Sequence, residues 1–377
     1  MQTILDFLIW SPDPDIFKIP LSFLGFEDRP VRWYGLLFAG GFILSQQVLM
    51  WIFKQEGRPE KTVDKLTLYM VTATIIGARL GHCLFYNPGY YLSNPIEIIK
   101  VWEGGLASHG GAIGILIALW LFARKYKEYR LMWILDRMVI VVALTGAMIR
   151  TGNFFNSEME GVTTNSTTGV VYARFTEDVL NYDERIESIT FSMGGQMESN
   201  EPGKYPITAT IKFERGQQLG ERDKQFVESR LRNALLSYDE VTQHIDFGQD
   251  KPLAYRVYQE RNHWYIDIYG IGIVRHAAQL YEAGYCLFFM VLLFWLWKEK
   301  RLVLPEGFNF ALFMMLLWSF RFVDEFFKMN QEAFEESIPL NMGQWLSIPL
   351  FLVGAFLMFR AYNDKKLNMA GEPFSKP

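Results

Sequence analysis

Seven apolar blocks constrain this chain more than anything else in it. They fall at about residues 33–53, 66–86, 106–123, 132–150, 277–297, 308–327 and 343–361. A helix that crosses a bilayer needs roughly 20 mostly apolar residues, because it rises about 1.5 Å per residue through about 30 Å of hydrocarbon. Each block meets or approaches that length. Trp and Tyr stand at the block ends, where amphipathic rings sit at headgroup level. The chain is 50% hydrophobic and 16% aromatic, with 31 Phe and 11 Trp. The alternative, a large soluble protein with buried helices, does not account for that aromatic placement. Several blocks contain Gly, Ser, Thr or a single charge, as helices of a bundle with a polar interior do. The expected fold is mainly α, a polytopic membrane protein with seven transmembrane helices.

The start, MQTILDFLIWSPDPD, lacks the basic end and uninterrupted apolar core of a secretory signal, so the first span is expected to act as its own insertion signal. Loop charges set the orientation. Fifteen Lys and Arg flank the ends after spans one, three, five and seven, against five on the other side. By the positive-inside rule the N-terminus lies outside and the C-terminus in the cytoplasm. The expected organisation is an extracytoplasmic or interfacial segment 1–32, spans one to four within 33–159, a domain at 160–274, spans five to seven within 275–361, and a cytoplasmic tail 362–377.

Residues 160–274 differ from the rest. They are polar and carry 18 acidic and 12 basic residues. VTTNSTTG is expected to be a turn-rich, poorly ordered leader. IESITFSM and YPITATIKFE alternate like half-buried strands, and YRVYQERNHWYIDIYG reads as a hairpin turning at ERNH. GERDKQFVESRLRNALLSY has helical spacing through Phe226, Leu231 and Leu235. The expectation is a small extracytoplasmic α+β domain inserted between helices four and five, with no recognisable chemistry of its own.

Two cysteines, Cys83 and Cys286, lie in different predicted spans and are expected to be buried and inert. His82, His109, His244, His263 and His276 form no close pair at ligand spacing, so no metal is expected. No phosphate loop follows a strand, and neither nucleotide nor nucleic-acid chemistry has support. No cofactor is expected.

Polar residues gather at the outer ends of the spans. Arg79, His109, Arg150, Asn153, Asn156 and Glu158 do so, as do Arg275, His276, Gln279 and Glu282 at the start of block five. Arg321, Glu325, Gln344 and Tyr34 complete the set. Asp136 and Arg137 are expected at the inner interface. Ionisable groups are costly in lipid unless paired or set in a wet cavity. Four arginines at one depth would repel without anions, and a phosphate suits guanidinium forks. Arg150 and Asn153 are three apart and share a helix face. Arg79 and Arg275 also fit plain snorkelling to headgroups, and His276 fits a packed interfacial histidine. The glycines of GARLG and GGLASHGG fit close helix packing or a nearby headgroup.

Six ordered motifs carry a resemblance to the prolipoprotein diacylglyceryl transferase family. They are VRWYGLLFAGG, GARLGHCLFYNPGYYLSNPIEIIKVWEGGLASHGG, IRTGNFFNSEMEG, RHAAQLYEA, FRFVDEFF and LNMGQWLSIP, spanning about 30–161 and 275–361. In the third, Arg150, Asn153, Glu158 and Gly161 match the family signature. The chain departs from the family at Ile149 and Ser157, where glycine is usual. It also departs at Ala277-Ala278 after His276, at Leu317, at Lys328 in place of arginine, and at Ser108. The inserted segment is larger than the family's usual head and is not covered by the resemblance.

The resemblance implies a bacterial inner-membrane enzyme whose active site faces the outer leaflet. Its implied partners are phosphatidylglycerol, as membrane lipid, and a prolipoprotein signal peptide with a lipobox cysteine. Diacylglyceryl would pass to the cysteine sulfur as a thioether, and glycerol phosphate would leave. Arg150 and Arg321 are expected to hold the phosphate, and His109 to accept the thiol proton. Tyr34, Arg79, Asn153, Asn156, Glu158, Gly161, Arg275, His276, Gln279, Glu282, Glu325 and Gln344 are expected to bind or orient substrate. A phosphatidylglycerol hydrolase, an anion transporter and a non-catalytic membrane scaffold remain as alternatives. The transporter would need polar residues through the full membrane depth.

Overall fold

A short strand pair leads straight into the first long helix. β1 (Phe7–Trp10), β2 (Asp15–Ile19) and β3 (Arg29–Arg32) precede α1 (Trp33–Gln55) in this computed structural model. The helices α2 (Lys61–Phe85), α3 (Pro88–Ser93), α4 (Pro95–Ile99), α5 (Ser108–Lys125) and α6 (Leu131–Phe155) follow. Next come β4 (Gly169–Tyr172), α7 (Arg174–Leu180), β5 (Ile186–Met193) and β6 (Lys204–Phe213). α8 (Glu221–Phe226) passes through a π turn at Val227–Leu231 into α9 (Arg232–Ser237). After α10 (Asp239–Thr242), β7 (Ile245–Asp246), β8 (Tyr255–Glu260) and β9 (His263–Ile273), the chain ends in α11 (Ala278–Lys300), α12 (Phe308–Asp324) and α13 (Met342–Gly371). The structure describes residues 7–20, 22, 27–101, 104–105, 107–249, 251–329 and 339–371. Met1–Asp6, Leu106 at the head of the third apolar block, and Lys376 of the tail lie outside them.

Among the described residues five helices are long and apolar enough to cross a membrane: α1, α2, α6, α11 and Met342–Asp364 of α13. The protein is thus mainly helical and of membrane type. α5 and α12, on the third and sixth apolar blocks, are shorter, with 18 and 17 residues. α12 stops at Asp324, short of the predicted block end, because the chain turns there: Phe327 N–H donates to the Asp324 carbonyl, and the Phe327 carbonyl accepts from Val162 N–H. α13 continues well past residue 361, so the start of the predicted tail is helical.

The chain divides into two compact units. One comprises Leu37–Ile149, Ala283–Val323 and Leu340–Pro377. Its apolar core includes Phe53, Leu66, Phe122, Ile140, Phe289 and Trp297, all fully buried or nearly so. Cys83 and Cys286 are buried free thiols. α2 and α5 cross on glycines. A Cβ added at Gly77 would lie 2.4 Å from the Gly110 carbonyl oxygen, one at Gly81 2.7 Å from Gly110 Cα, and one at Gly114 2.5 Å from the Ala73 carbonyl oxygen. Small residues four apart on both helices let the backbones touch, which is how helices gain packing energy in a solvent as apolar as their side chains. Within this unit Arg137 grips Glu56 with Nε and Nη2, at 2.9–3.1 Å. Asp136 accepts from Gly307 N–H at 2.7 Å and Phe310 N–H at 2.9 Å, capping the start of α12.

The other unit comprises Met1–Leu36, Arg150–Glu282 and Asp324–Pro339. Its sheet runs β5-β6-β9 antiparallel, and the far edge of β9 is shared end to end by β8 and β7. Ile207, Ala209, Ile211 and Phe213 alternate on the buried face of β6, beside Ile266 and Ile268 of β9. Leu180, Val227, Leu231 and Leu235 belong to the same core, so helical spacing and strand alternation meet there. The predicted hairpin turns at Arg261-Asn262, both at positive φ (48° and 66°), the two-residue turn whose twist suits antiparallel strands. β1 pairs in parallel with β4 and puts Phe7 into this core, an association with no local signal. The segment after Glu160, expected to be poorly ordered, is instead tied down. Val162 and Thr164 N–H donate to the Phe327 and Val274 carbonyls, and Gly161 N–H to the His276 carbonyl. Backbone pairing with distant segments supplies order that local composition does not show.

Candidate active site

The signature after α6 owes its shape to how that helix ends. Ser157 N–H donates to the Phe154 carbonyl and Glu158 N–H to the Asn153 carbonyl, while Ser157 sits at φ 52°. That is a Schellman ending, whose left-handed residue is normally glycine. The turn folds Glu158 back over the last helical turn. Its two carboxylate oxygens then accept from Asn153 Nδ2 at 3.4 Å and Asn156 Nδ2 at 3.2 Å. Gln279 Nε2 donates to the Glu158 carbonyl at 2.7 Å, and Tyr172 Oη donates to Gln279 Oε1 at 3.0 Å. Arg150, one turn before Asn153, places Nε 2.6 Å from Glu282 Oε2 and Nη1 3.5 Å from Asn153 Oδ1. Tyr34 packs on the same turn: a Cβ at Gly152 would lie 3.1 Å from Tyr34 Cα. The second unit thus brings together Tyr34, Arg150, Asn153, Asn156, Glu158, Gln279 and Glu282.

Two residues absent from the sequence expectation join them. The Lys328 ammonium lies against Glu282 Oε1, 3.4 Å from Asp324 Oδ2 and 3.7 Å from Glu325 Oε1. Lys328 is set there by an antiparallel bridge to Gly161. A Cβ on Gly161 would come within 2.6 Å of the His276 and Phe327 carbonyl oxygens, so only glycine permits this junction. Asp324 and Glu325 stand four and three residues before Lys328, a spacing of opposite charges that could have found them in the sequence beside the departure already noted at Lys328. Arg275 is 5% exposed, and its guanidinium donates to the Gly161 and Gln243 carbonyls, with Nε 4.0 Å from Glu160 Oε2. Burial lowers its affinity for the proton, and Glu160 opposes that. Glu160 also meets His244 Nε2 at 2.5 Å. His276 Nδ1 lies 3.1 Å from Tyr281 Oη, and burial favours its neutral form.

His109, Arg79, Arg321 and Gln344 belong to the first unit. Arg79 is buried and donates to the carbonyls of Glu97, Ile98, Gly104 and Gly105. It thereby pins the connection that leads into α5. His109, in the first turn of α5, is exposed, with the rings of Phe85 and Tyr86 beside it at 5.0 and 6.1 Å. Its neighbour Gly110 forms the crossing with α2, so the glycine contact sets where the imidazole stands. Arg321 is half-buried in the last turn of α12. Gln344 and Asn341 form a reciprocal cap at the start of α13: Gln344 N–H donates to Asn341 Oδ1 at 2.9 Å, and Asn341 N–H to Gln344 Oε1 at 3.1 Å. The Gln344 amide therefore has a helix-starting job. No three His, Cys, Asp or Glu side chains among the described residues cluster as a metal site would require.

The family model described as prolipoprotein diacylglyceryl transferase matches residues 22–360. A phosphatidylglycerol–prolipoprotein diacylglyceryl transferase of Tolumonas auensis is 34% identical over 359 residues, covering 95% of this chain and 99% of that protein. One from Chloroherpeton thalassium is 30% identical over 365 residues, covering 96% and 97%. One from Bacteroides fragilis is 30% identical over 379 residues, covering 97% and 99%. These matches run through residues 160–274 as well, so the similarity is wider than the six motifs suggested. With nearly its whole length matched, the chain belongs to the prolipoprotein diacylglyceryl transferase family.

Proposed function

We propose that this protein transfers the diacylglyceryl group of phosphatidylglycerol to the lipobox cysteine of bacterial prolipoproteins, at the outer face of the cytoplasmic membrane. The membrane disposition is seven spans, N-terminus outside and C-terminus inside, with 160–274 as an extracytoplasmic α+β domain between spans four and five. The cysteine sulfur attacks the glycerol carbon that bears the phosphate ester. A C–S bond forms, the C–O bond breaks, and glycerol phosphate leaves with the bonding pair. Arg150 and Arg321 hold the phosphate and stabilise the charge that grows on the leaving oxygen. His109 takes the thiol proton, a modest task because a free thiol has a pKa of about 8.5. Tyr34, Asn153, Asn156, Glu158, Gln279 and Glu282 orient the headgroup or Arg150. Arg79, Gly161, Arg275, His276, Glu325 and Gln344 support that frame.

The observation that carries this reading is Arg150, anchored through Nε on the buried Glu282 carboxylate while its side chain stays 20% exposed. An arginine held by one edge presents the rest of its fork to an anion. The test is purified protein in detergent with phosphatidylglycerol and a lipobox peptide, followed by mass spectrometry. A peptide gaining one diacylglyceryl group, and Arg150→Ala and Arg321→Ala inserting normally but making none, is the expected result. Diacylglycerol released beside an unmodified peptide would mean hydrolysis instead. His109→Gln keeping most activity across the pH range would remove its role as base.

A further inference from the structure

We propose that Lys328 and Asp324 are positioning residues that set, through Glu282, how strongly Arg150 attracts a phosphate; this rests on the reading of Arg150 given above. Glu282 stands between two cations. Its Oε2 is 2.6 Å from Arg150 Nε, and its Oε1 is against Lys328 Nζ. The side chains of Glu282 and Lys328 are each 4% exposed and that of Asp324 5%, whereas Arg150 keeps 20%. A buried carboxylate serving Arg150 alone would cancel most of the field an incoming phosphate feels. Lys328 shares that carboxylate and so leaves Arg150 more of its charge. Asp324, 3.4 Å from Lys328 Nζ, competes with Glu282 for the ammonium. The backbone of Lys328 is bridged to Gly161, which fixes where its side chain starts.

The two residues therefore act with opposite sign on anion affinity. Removing Lys328 leaves the carboxylates around Arg150 undiluted, and removing the Asp324 charge frees Lys328 for Glu282. At the effective dielectric of a partly buried site, one unit charge several ångströms away changes anion binding by roughly five- to thirtyfold. Removing both restores the balance, since one positive and one negative charge go together.

The experiment measures inhibition by glycerol phosphate, and KM and kcat for phosphatidylglycerol, in mixed micelles. It uses wild type, Lys328→Met, Asp324→Asn, the double variant and Lys328→Arg, with thermal melts to show each is folded. Glycerol phosphate is expected to inhibit Lys328→Met at least fivefold more weakly and Asp324→Asn more strongly than wild type. The double variant and Lys328→Arg should return to within about twofold. KM should follow these shifts more than kcat does. A purely structural pair would lower melting temperature in both single variants without moving inhibition in opposite directions. Shifts of the same sign, or none, overturn the inference. If Lys328→Met does not fold, the sign of Asp324→Asn and the recovery in the double variant decide alone. Arg150→Gln separates the two levels: inhibition unchanged there would overturn the reading of Arg150 itself, whereas inhibition lost there with no opposed shifts at 324 and 328 removes only this inference.

Discussion

Glu282 holds Arg150 by the Nε edge of its guanidinium, at 2.6 Å, from a side chain that is itself 4% exposed. The pair joins α6, near its end, to α11, near its start, so the direction in which Arg150 points depends on a residue far along the chain. Glu282→Gln keeps the shape and removes the charge-assisted bond. Such bonds contribute about 1.5–3 kcal/mol, so kcat for phosphatidylglycerol should fall roughly 10- to 100-fold as Arg150 loses its aim, while glycerol phosphate, no longer opposed by the Glu282 charge, should inhibit no more weakly than in wild type. Steady-state kinetics with the lipobox peptide measure this. Wild-type kinetics would show that Arg150 needs no such anchor.

Ser157 occupies a left-handed position at φ 52°. An L-residue there carries a strain of about 1–2 kcal/mol that glycine does not, partly offset by the greater freedom of glycine when unfolded. Ser157→Gly should therefore raise the melting temperature by about 1–3 °C and leave kinetics unchanged. A lower melting temperature would mean that the serine makes a compensating interaction.

Gly77 and Gly110 touch backbone to backbone at the α2–α5 crossing. Gly77→Ala must push the helices apart, since its Cβ would lie 2.4 Å from the Gly110 carbonyl oxygen. Overpacking of this kind costs about 1–3 kcal/mol. The variant should melt several degrees lower and lose activity in proportion as α5 shifts His109. Gly35→Ala, which meets nothing within 4 Å, is the control and should behave as wild type. Both are read by melting in detergent and by size-exclusion profile.

Glu177 gives a pH dependence of stability. Burial first, then Asp178 and Asp13, raise its carboxyl from 4.5 to about 7, with Arg174 opposing. The folded state then binds the proton more tightly than the unfolded chain does. Its contribution is fully present below about pH 4.5 and is lost as pH rises through 7. Ser11 Oγ donates to its Oε2, an acceptor that glutamine retains. Glu177→Gln should stabilise the protein at pH 8 and make little difference at pH 5. Melting curves at the two pH values test the sign, and equal shifts at both would contradict it.

Local pattern was enough for what local forces decide. The apolar blocks became helices, Ile186–Met193 and Lys204–Phe213 became strands, and the Arg261-Asn262 turn joined the hairpin, because periodicity and turn chemistry act between near neighbours. Gln344 illustrates the boundary. Its polar amide near a span suggested substrate contact, while the structure engages it in capping its own helix. Arg79 is similar, its donors engaged by four backbone carbonyls. The β1–β4 pairing, the order of the segment after Glu160 and the Lys328–Glu282 contact all join residues more than forty positions apart.

By itself the sequence determined a membrane-type helical protein with a polar α+β segment and a conspicuous set of arginines. Only the tertiary structure decided which cation meets which carboxylate. Apolar periodicity is written along a chain one turn at a time, but a buried charge is stable only beside partners that the whole fold must deliver.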